Sequence, residues 1–278
     1  MLPQDSHVHS EWSWDALAGS MEETCRRAVE IGLPSVAFTE HADLTPWIVP
    51  PDAELPVQWH DLVTGDVLSP PPLDLDGFRT CLDECRGRFP ELRILSGVEL
   101  SEPHWHDLRA RDLLACGAFE RVLASVHSAP VADGDGFTEV GVRFEDQKPA
   151  EVLRGYLAET VRLIEEFDHF EVLAHIDFPV RRWPMDAKPF DPTDFEDEFR
   201  LVLRRLAASD RILEFNTRVP LDPLVLGWWR QEGGQGISFA SDAHEPQALA
   251  REFATAVHLA EAAGFRPGRD VHGFWTAC

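Results

Sequence analysis

The chain opens Leu2-Pro3-Gln4-Asp5-Ser6-His7-Val8-His9, and its last three residues decide how the rest is read. Successive side chains on an extended segment point to opposite faces, so His7 and His9 point the same way at the end of a strand-length run, Leu2–Val8. Two imidazoles on one face can grip a single ion. A chance pair of surface histidines would look the same, so the decision passes to the ends of the other strand-like runs.

Six such runs follow, at Ser35–Thr39, Arg93–Val98, Arg121–Val126, Phe170–Ala174, Ile212–Phe215 and Ile237–Ala240. All are brief enough to be buried. Stretches of helical periodicity separate them, from Ser20 to about Gly32 and over Phe78–Arg88, His106–Leu114, Ala150–Phe167, Phe195–Ala208, Asp222–Gln231 and Pro246–Ala263. Ser20 and Glu23 are spaced to form a capping box, and Pro246 suits the first turn of the last helix. This alternation over 278 residues predicts an α/β fold, a single barrel-like domain of parallel strands spanning residues 1–278. Two stretches break the rhythm. Residues 44–76 are rich in proline and acidic residues, and residues 130–149 contain Asp133-Gly134-Asp135-Gly136; both are expected to be long loops that border a site.

Metal-capable residues stand at the ends of the successive runs: His41, Glu99, His127, His175, and Asp242 with His244, while Asp15 lies in the loop after the first. In a barrel of parallel strands these ends converge on one face. Any one of the histidines, taken singly, is more often a packed or surface residue. Six of the twelve at equivalent positions, with three carboxylates, form a pattern that chance does not readily produce. His60, His104, His106, His169, His258 and His272 lack that placement and read as packing or surface residues. Nine donors exceed what one tetrahedral zinc ion or an open two-ion site requires, so three divalent cations are expected. Imidazole with carboxylate suits zinc, manganese or iron.

Composition narrows the partners. Hydrophobic residues at 44% and charged residues at 27% describe a globular protein with a large apolar interior. With 25 basic against 49 acidic side chains the net charge is −24, which repels nucleic-acid backbones over most of the surface. Bound cations would cancel that charge in one place and admit a small anion there. Five cysteines without a C-x-x-C pair argue against a disulfide framework and for a reducing, cytoplasmic setting. No secretory signal and no membrane-spanning apolar run are expected.

Six motifs occur in order: His7-Val8-His9 with Asp15, Thr39-Glu40-His41, Gly97-Val98-Glu99, Ser125-Val126-His127-Ser128, Ala174-His175-Ile176-Asp177 and Ala240-Ser241-Asp242-Ala243-His244. Together they resemble the PHP (polymerase and histidinol phosphatase) superfamily over nearly the whole chain. The resemblance implies a distorted seven-stranded (β/α)7 TIM-like barrel. It also implies a trinuclear centre, with one ion on His7, His9, Glu99 and Asp242, a second on Glu99, His127 and His175, and a third on Asp15, His41 and His244. The segments His175–Arg182 and Glu214–Arg218 are similar to the arginine-bearing loops of the histidinol-phosphatase branch. By that similarity Arg182 and Arg218, with Arg181 as the substitute, would hold a substrate phosphate, for which a planar guanidinium is suited. One departure is that Arg218-Val219-Pro220 follows Asn216-Thr217 directly, where the branch commonly has a glycine-containing stretch.

The activity so implied is hydrolysis of a small phosphate monoester by a metal-activated hydroxide. Three dications against three carboxylates leave a formal +3, which suits a dianionic phosphate plus hydroxide. Asp242, His244 or a metal-held water would protonate the leaving oxygen. A phosphodiesterase or exonuclease of the same superfamily is the rival enzyme, disfavoured by the acidic surface. A PHP module that has lost catalysis is the rival outside enzymes, and it would lack several ligands. Trp12, Trp14, Trp47, Trp59 and Trp105 supply aromatic surface for packing or for stacking a small ring.

Overall fold

A computed structural model describes residues 2–132, 135–270 and 272–278; Asp133 and Gly134 of the second long loop lie outside the described residues. Seven strands follow one another in both sequence and space: β1 (Asp5–Val8), β2 (Ser35–Asp43), β3 (Arg93–Ser101), β4 (Arg121–Ser125), β5 (Val172–Leu173), β6 (Ile212–Asn216) and β7 (Gly236–Ala240). Each is parallel to its neighbour. Parallel strands need a crossover between them, supplied by helices α1 (Met21–Ile31), α2 (Leu75–Arg88), α3 (Asp107–Gly117), α4 (Pro149–Glu166), α5 (Glu196–Ala208) and α6 (Pro223–Gln231), with α7 (Phe253–Ala262) after the last strand.

The sheet is curled so that its first and seventh strands meet. Val8 bridges Ala243 in parallel. The His9 N–H donates to the Ala243 carbonyl at 2.8 Å, and the Asp242 N–H to the His7 carbonyl at 2.9 Å. The strand ends that carry the motifs are therefore brought edge to edge. Asp242 sits there with φ of 51°, a left-handed conformation that aspartate tolerates better than most residues.

The count of seven strands requires correction. The main sheet has nine, because β8 (Phe265–Pro267) and β9 (Trp275–Ala277) add an antiparallel pair beside β7. Three residues each are too few to show a period, and proline interrupts one of them. The last helix also begins later than Pro246. Pro246–Ala248 forms a single 3₁₀ turn, and left-handed Ala250 and Glu252 then break the path before Phe253. The cause is the buried Asp5 carboxylate, which accepts the Ala250 N–H and the Ser241 N–H, each at 3.0 Å, and pulls the chain into a bend.

Neither irregular stretch is a plain loop. Trp47–Ile48, Val63–Thr64 and Val67–Leu68 form a small antiparallel sheet around a 3₁₀ turn at Val57–Leu62. Ser128–Pro130 pairs with Phe137–Glu139, and a 3₁₀ turn, Val140–Glu145, follows. Two-residue strands carry no periodic signal.

Helix α1 ends as read, with Gly32 left-handed at φ 71°. Its capping box is half realised. Glu23 N–H donates to Ser20 Oγ at 3.3 Å, but the Glu23 carboxylate turns to Arg26. The core forms two main clusters between helices and sheet. Met21, Cys25, Phe38, Phe78 and Leu82 pack α1 and α2 onto the first strands. Leu153, Leu157, Phe199, Leu203, Phe215 and Trp229 join α4, α5 and α6 to the later ones. All nine residues of β2 are buried, as expected of a parallel strand covered on both faces. Among the described residues no helix is long and apolar enough to cross a membrane, and all five cysteines are free.

Candidate metal centre

The register of β2 and β3 places His41 beside Glu99. Two residues earlier Thr39 faces Gly97, where a Cβ would lie 2.6 Å from the Thr39 methyl, so only glycine lets the strands close there. Glu99 is the hub. Its Oε2 faces His7 Nε2 at 3.1 Å, His41 Nδ1 at 3.2 Å and His9 Nε2 at 3.5 Å. Its Oε1 faces His175 Nε2 at 2.8 Å and His127 Nε2 at 3.3 Å. Asp15 Oδ2 lies 3.4 Å from His41 Nε2 and 3.2 Å from His244 Nε2, and Asp242 Oδ1 lies 3.6 Å from His9 Nε2. All nine residues expected as ligands thus surround one space. His7 and His9 form its fully buried base, and the other seven line a cavity of about 770 Å³.

The hydrogen bonds behind the rings fix which nitrogens point into that space. His7 Nδ1 lies 2.8 Å from the Glu214 carboxylate, which can only accept, so Nδ1 carries a proton and Nε2 is the atom left to take a metal ion or a second proton. Ser13 Oγ gives its one proton to Glu40 at 2.5 Å, so His9 Nδ1, 3.0 Å away, must donate to it. Ser101 Oγ likewise donates to Asp43, and His127 Nδ1 donates to Ser101 Oγ at 2.7 Å. Three Nε2 atoms therefore converge. Those of His7 and His9 stand 3.0 Å apart, and His127 Nε2 stands 3.3 Å from His175 Nε2. Nitrogens this close, with carboxylate oxygens between, need protons or metal ions among them. The donor set, imidazole and carboxylate without sulfur, suits zinc, manganese or iron.

Electrostatics lead to the same reading. Burial works against the charged form of His7, yet Glu214, Glu99 and Asp242 overcome it and raise its pKa well above the usual 6.5. His127 is raised in the same way, against burial, first by Glu99 and then by Asp43. His41 is pushed up to about 9, against burial, by Asp15, Asp43 and Glu99. Burial, with His41 and His244 beside it, holds His9 well below. Without metal the carboxylates recruit protons onto some rings and not others, so positive charge is what the cluster demands.

Three arginines line the same cavity. Arg181 binds Asp242 Oδ2 at 2.5 Å from above the Phe178 ring, and its side chain is 15% exposed. Arg218 Nη1 reaches Asp242 Oδ1 at 3.2 Å and His244 Nδ1 at 3.1 Å. Arg182 stands at the rim, 65% exposed and 3.7 Å from Glu139. Arg181 rather than Arg182 thus shares Asp242 with Arg218.

Several contributors were not singled out in the sequence. Asp43 lies within ligand reach of His41 and His127 and also accepts the Trp14 indole N–H at 2.7 Å. Glu214 accepts from His7 and, through its other oxygen, from the His175 N–H at 3.1 Å and Asn216 Nδ2 at 2.7 Å. Buried Glu40 gathers Ser10 and Ser13. Buried Glu102, left-handed at φ 43°, accepts from the His127 and Ser128 N–H groups and from Thr45 Oγ1. The signal available for Asp43, Glu40 and Glu102 was their position within two residues of a motif residue or at a strand end. Of the five tryptophans, Trp14, Trp47 and Trp59 wall the cavity. Trp12 packs against Gly77, and Trp105 stacks on Phe137.

The PHP domain family matches residues 5–218. This chain belongs to that family. Among PHP relatives, the histidinol-phosphatase of Lactococcus lactis is 25% identical over 257 residues, covering 88% of this chain and 85% of the relative. A crystal structure of histidinol phosphate phosphatase from Lactococcus lactis, complexed with zinc, L-histidinol and phosphate, superposes with a TM-score of 0.77. It covers 95% of this chain and 94% of that chain at 23% identity. The hisK structure of Listeria monocytogenes superposes with a TM-score of 0.69 over 91% of this chain and 99% of that chain at 19% identity. These structural likenesses concern the fold, and they cover more of the chain than residues 5–218.

Proposed function

We propose that this PHP-family chain is a metal-dependent phosphomonoesterase that hydrolyses a small phosphate ester, of the kind for which its histidinol-phosphatase relatives are named. The observation that carries the reading is the convergence of imidazole Nε2 atoms on the Glu99 carboxylate at the base of a cavity whose wall presents Arg181 and Arg218. The seven parallel strands of the sheet, curled and joined by the Val8–Ala243 bridge, are read as a distorted barrel forming one domain.

The ligand sets are those the PHP resemblance implies, and the closeness of His7, His9 and Asp242 and of Glu99, His127 and His175 supports two of them. His7, His9, Glu99 and Asp242 would hold one divalent ion, Glu99, His127 and His175 a second, and Asp15, His41 and His244 a third, so that Glu99 would serve two of them. Bound ions of this kind supply a water acidified to near neutrality and positive charge toward phosphoryl oxygens. Arg181 and Arg218 would orient the phosphoryl group through N–H groups not spent on Asp242, and offset the charge that builds on its oxygens. Asp242 acts as ligand and anchor, since two guanidinium groups and His9 already surround its oxygens. His244 is a ligand in this reading, with Nε2 turned to Asp15 and Nδ1 beside the Asp242 carbonyl, so the proton for the leaving oxygen would come from a water held in the cavity. Phe178, 4.8 Å from His127 and 5.0 Å from His175, keeps water from the rings' outer faces.

The test is inorganic phosphate release from L-histidinol phosphate, sugar phosphates, nucleotides and a diester, with zinc or manganese added and metal content measured. Turnover of monoesters with about three ions per chain is expected. Turnover of the diester alone, or metal binding without any phosphate release, would overturn it.

A further inference from the structure

Asp43, the last residue of β2, is a buried carboxylate, and its ion-pair partners among the described residues are imidazoles: His127 Nδ1 at 3.5 Å and His41 Nδ1 at 3.7 Å from Oδ1. Strand register sets it opposite Ser101, which in turn faces Ser125, two residues before His127. Ser101 Oγ donates to Asp43 Oδ1 and stands 2.7 Å from His127 Nδ1. The second carboxylate oxygen, Oδ2, accepts the Trp14 indole N–H at 2.7 Å. Four side chains thus form one hydrogen-bonded row, Trp14–Asp43–Ser101–His127.

The order of protons along this row is forced from its ends. An indole N–H can only donate and a carboxylate can only accept, so the single hydroxyl proton of Ser101 goes to Asp43. Ser101 then offers His127 Nδ1 a lone pair, and Nδ1 must bring the proton. That leaves Nε2, which lies 3.3 Å from Glu99 Oε1, as the coordinating atom, in the usual arrangement of a metal-binding imidazole. An amide at position 43 would reverse the row. Trp14 N–H would claim the amide oxygen, the amide NH₂ would face Ser101, and Ser101 would turn its proton to His127 Nδ1. The ring would then carry its own proton on Nε2, where the ion belongs. Asp43 also comes within ligand reach of His41 and His127, so direct ligation is the competing role. It gives no part to Ser101 or Trp14.

We propose that Asp43 is a positioning residue that acts through Ser101, fixing the tautomer in which His127 presents Nε2 to a metal ion. This inference rests on the metal-dependent reading above. Zinc content of the wild-type protein tests that reading, and comparison of variants with wild type tests this one.

The experiment measures zinc affinity by competition with a chelator, together with the ¹⁵N ring signals of histidine-labelled, zinc-loaded protein. The His127 signals are identified by their loss in His127→Ala. Asp43→Asn is expected to bind its weakest zinc ion roughly 10–100-fold less tightly and to lose the pattern of protonated Nδ1 and coordinated Nε2 at His127. Ser101→Ala, which keeps the carboxylate and removes the relay, is expected to weaken the same ion. Trp14→Phe alone should leave zinc affinity unchanged. Placed in the Asp43→Asn background it should restore most of the loss, because the amide is then free to turn its oxygen to Ser101. Wild-type affinity and ring signals in Asp43→Asn, or full affinity in Ser101→Ala, overturn the proposal. Failure of Trp14→Phe to rescue Asp43→Asn also overturns it, and leaves Asp43 as a direct ligand. A wild-type protein that holds no zinc overturns the metal-dependent reading and this inference with it.

Discussion

The base of the cavity and its aromatic wall are held in place by different means. The histidines and carboxylates at the base leave the ends of parallel strands or the turns just beyond them, and three of the rings are fixed from behind by carboxylates and serines that are themselves buried. The wall stands on two-residue strands and 3₁₀ turns, fastened by single hydrogen bonds such as Trp47 to Ser128 and Thr138 to Ile48. On the proposed function the reacting centre is kept rigid, while the part that would meet the variable end of a substrate tolerates change.

The contrast is tested most severely at Glu99. Glu99→Gln removes the charge that faces five imidazoles, and phosphate release should fall by roughly a thousandfold or more, with measurable loss of bound metal. If the variant keeps full metal content and activity, the base is not organised around this carboxylate. Chelation followed by zinc or manganese should abolish and restore activity in the wild type, and should restore little in the variant.

Glu214 gives a graded version of the same test. Glu214→Gln leaves the ligands themselves intact but deprives His7 Nδ1 of its carboxylate partner, so metal affinity or activity should drop by about 10–100-fold. Arg181→Lys keeps a charge and loses the planar fork; it should raise KM by roughly tenfold with little change in metal content. An unaltered KM would place the phosphoryl group elsewhere and return Arg182 to consideration.

What could be read in the chain follows the same division. Short apolar runs that end in His, Glu or Asp announce the base, because parallel strands bury their whole length and leave chemistry only at their ends. The carboxylates that orient the rings were harder to see. Glu214 acts on His7 across 207 residues, and no local pattern marks such a pair. Asp5 was visible only as part of a motif, yet its grip on Ala250 moves the start of α7. The wall has neither period nor strand length to reveal it, and β8 and β9 are hidden for the same reason.

The smallest expected effect lies behind the wall. Glu159 Oε1 accepts from Trp105 Nε1 at 2.7 Å and pairs with His104 at 2.6 Å, and Trp105 stacks at 4.5 Å on Phe137, the start of the strand that ends in Glu139. Burial alone would raise the Glu159 carboxyl, but His104 and Trp105 hold it below its ordinary 4.5. A carboxylate whose folded pKa is depressed stabilises the fold above its unfolded value and loses that contribution as pH falls through the folded one. Glu159→Gln should therefore cost about 1 kcal/mol at neutral pH. The gap to wild type should close only in acid, below the ordinary carboxylate range, as denaturant melts across pH would show. Because the base does not depend on this contact, metal content at neutral pH should not change. A large loss of metal from Glu159→Gln would mean that wall and base are one mechanical unit, and the contrast drawn between them would have to be abandoned.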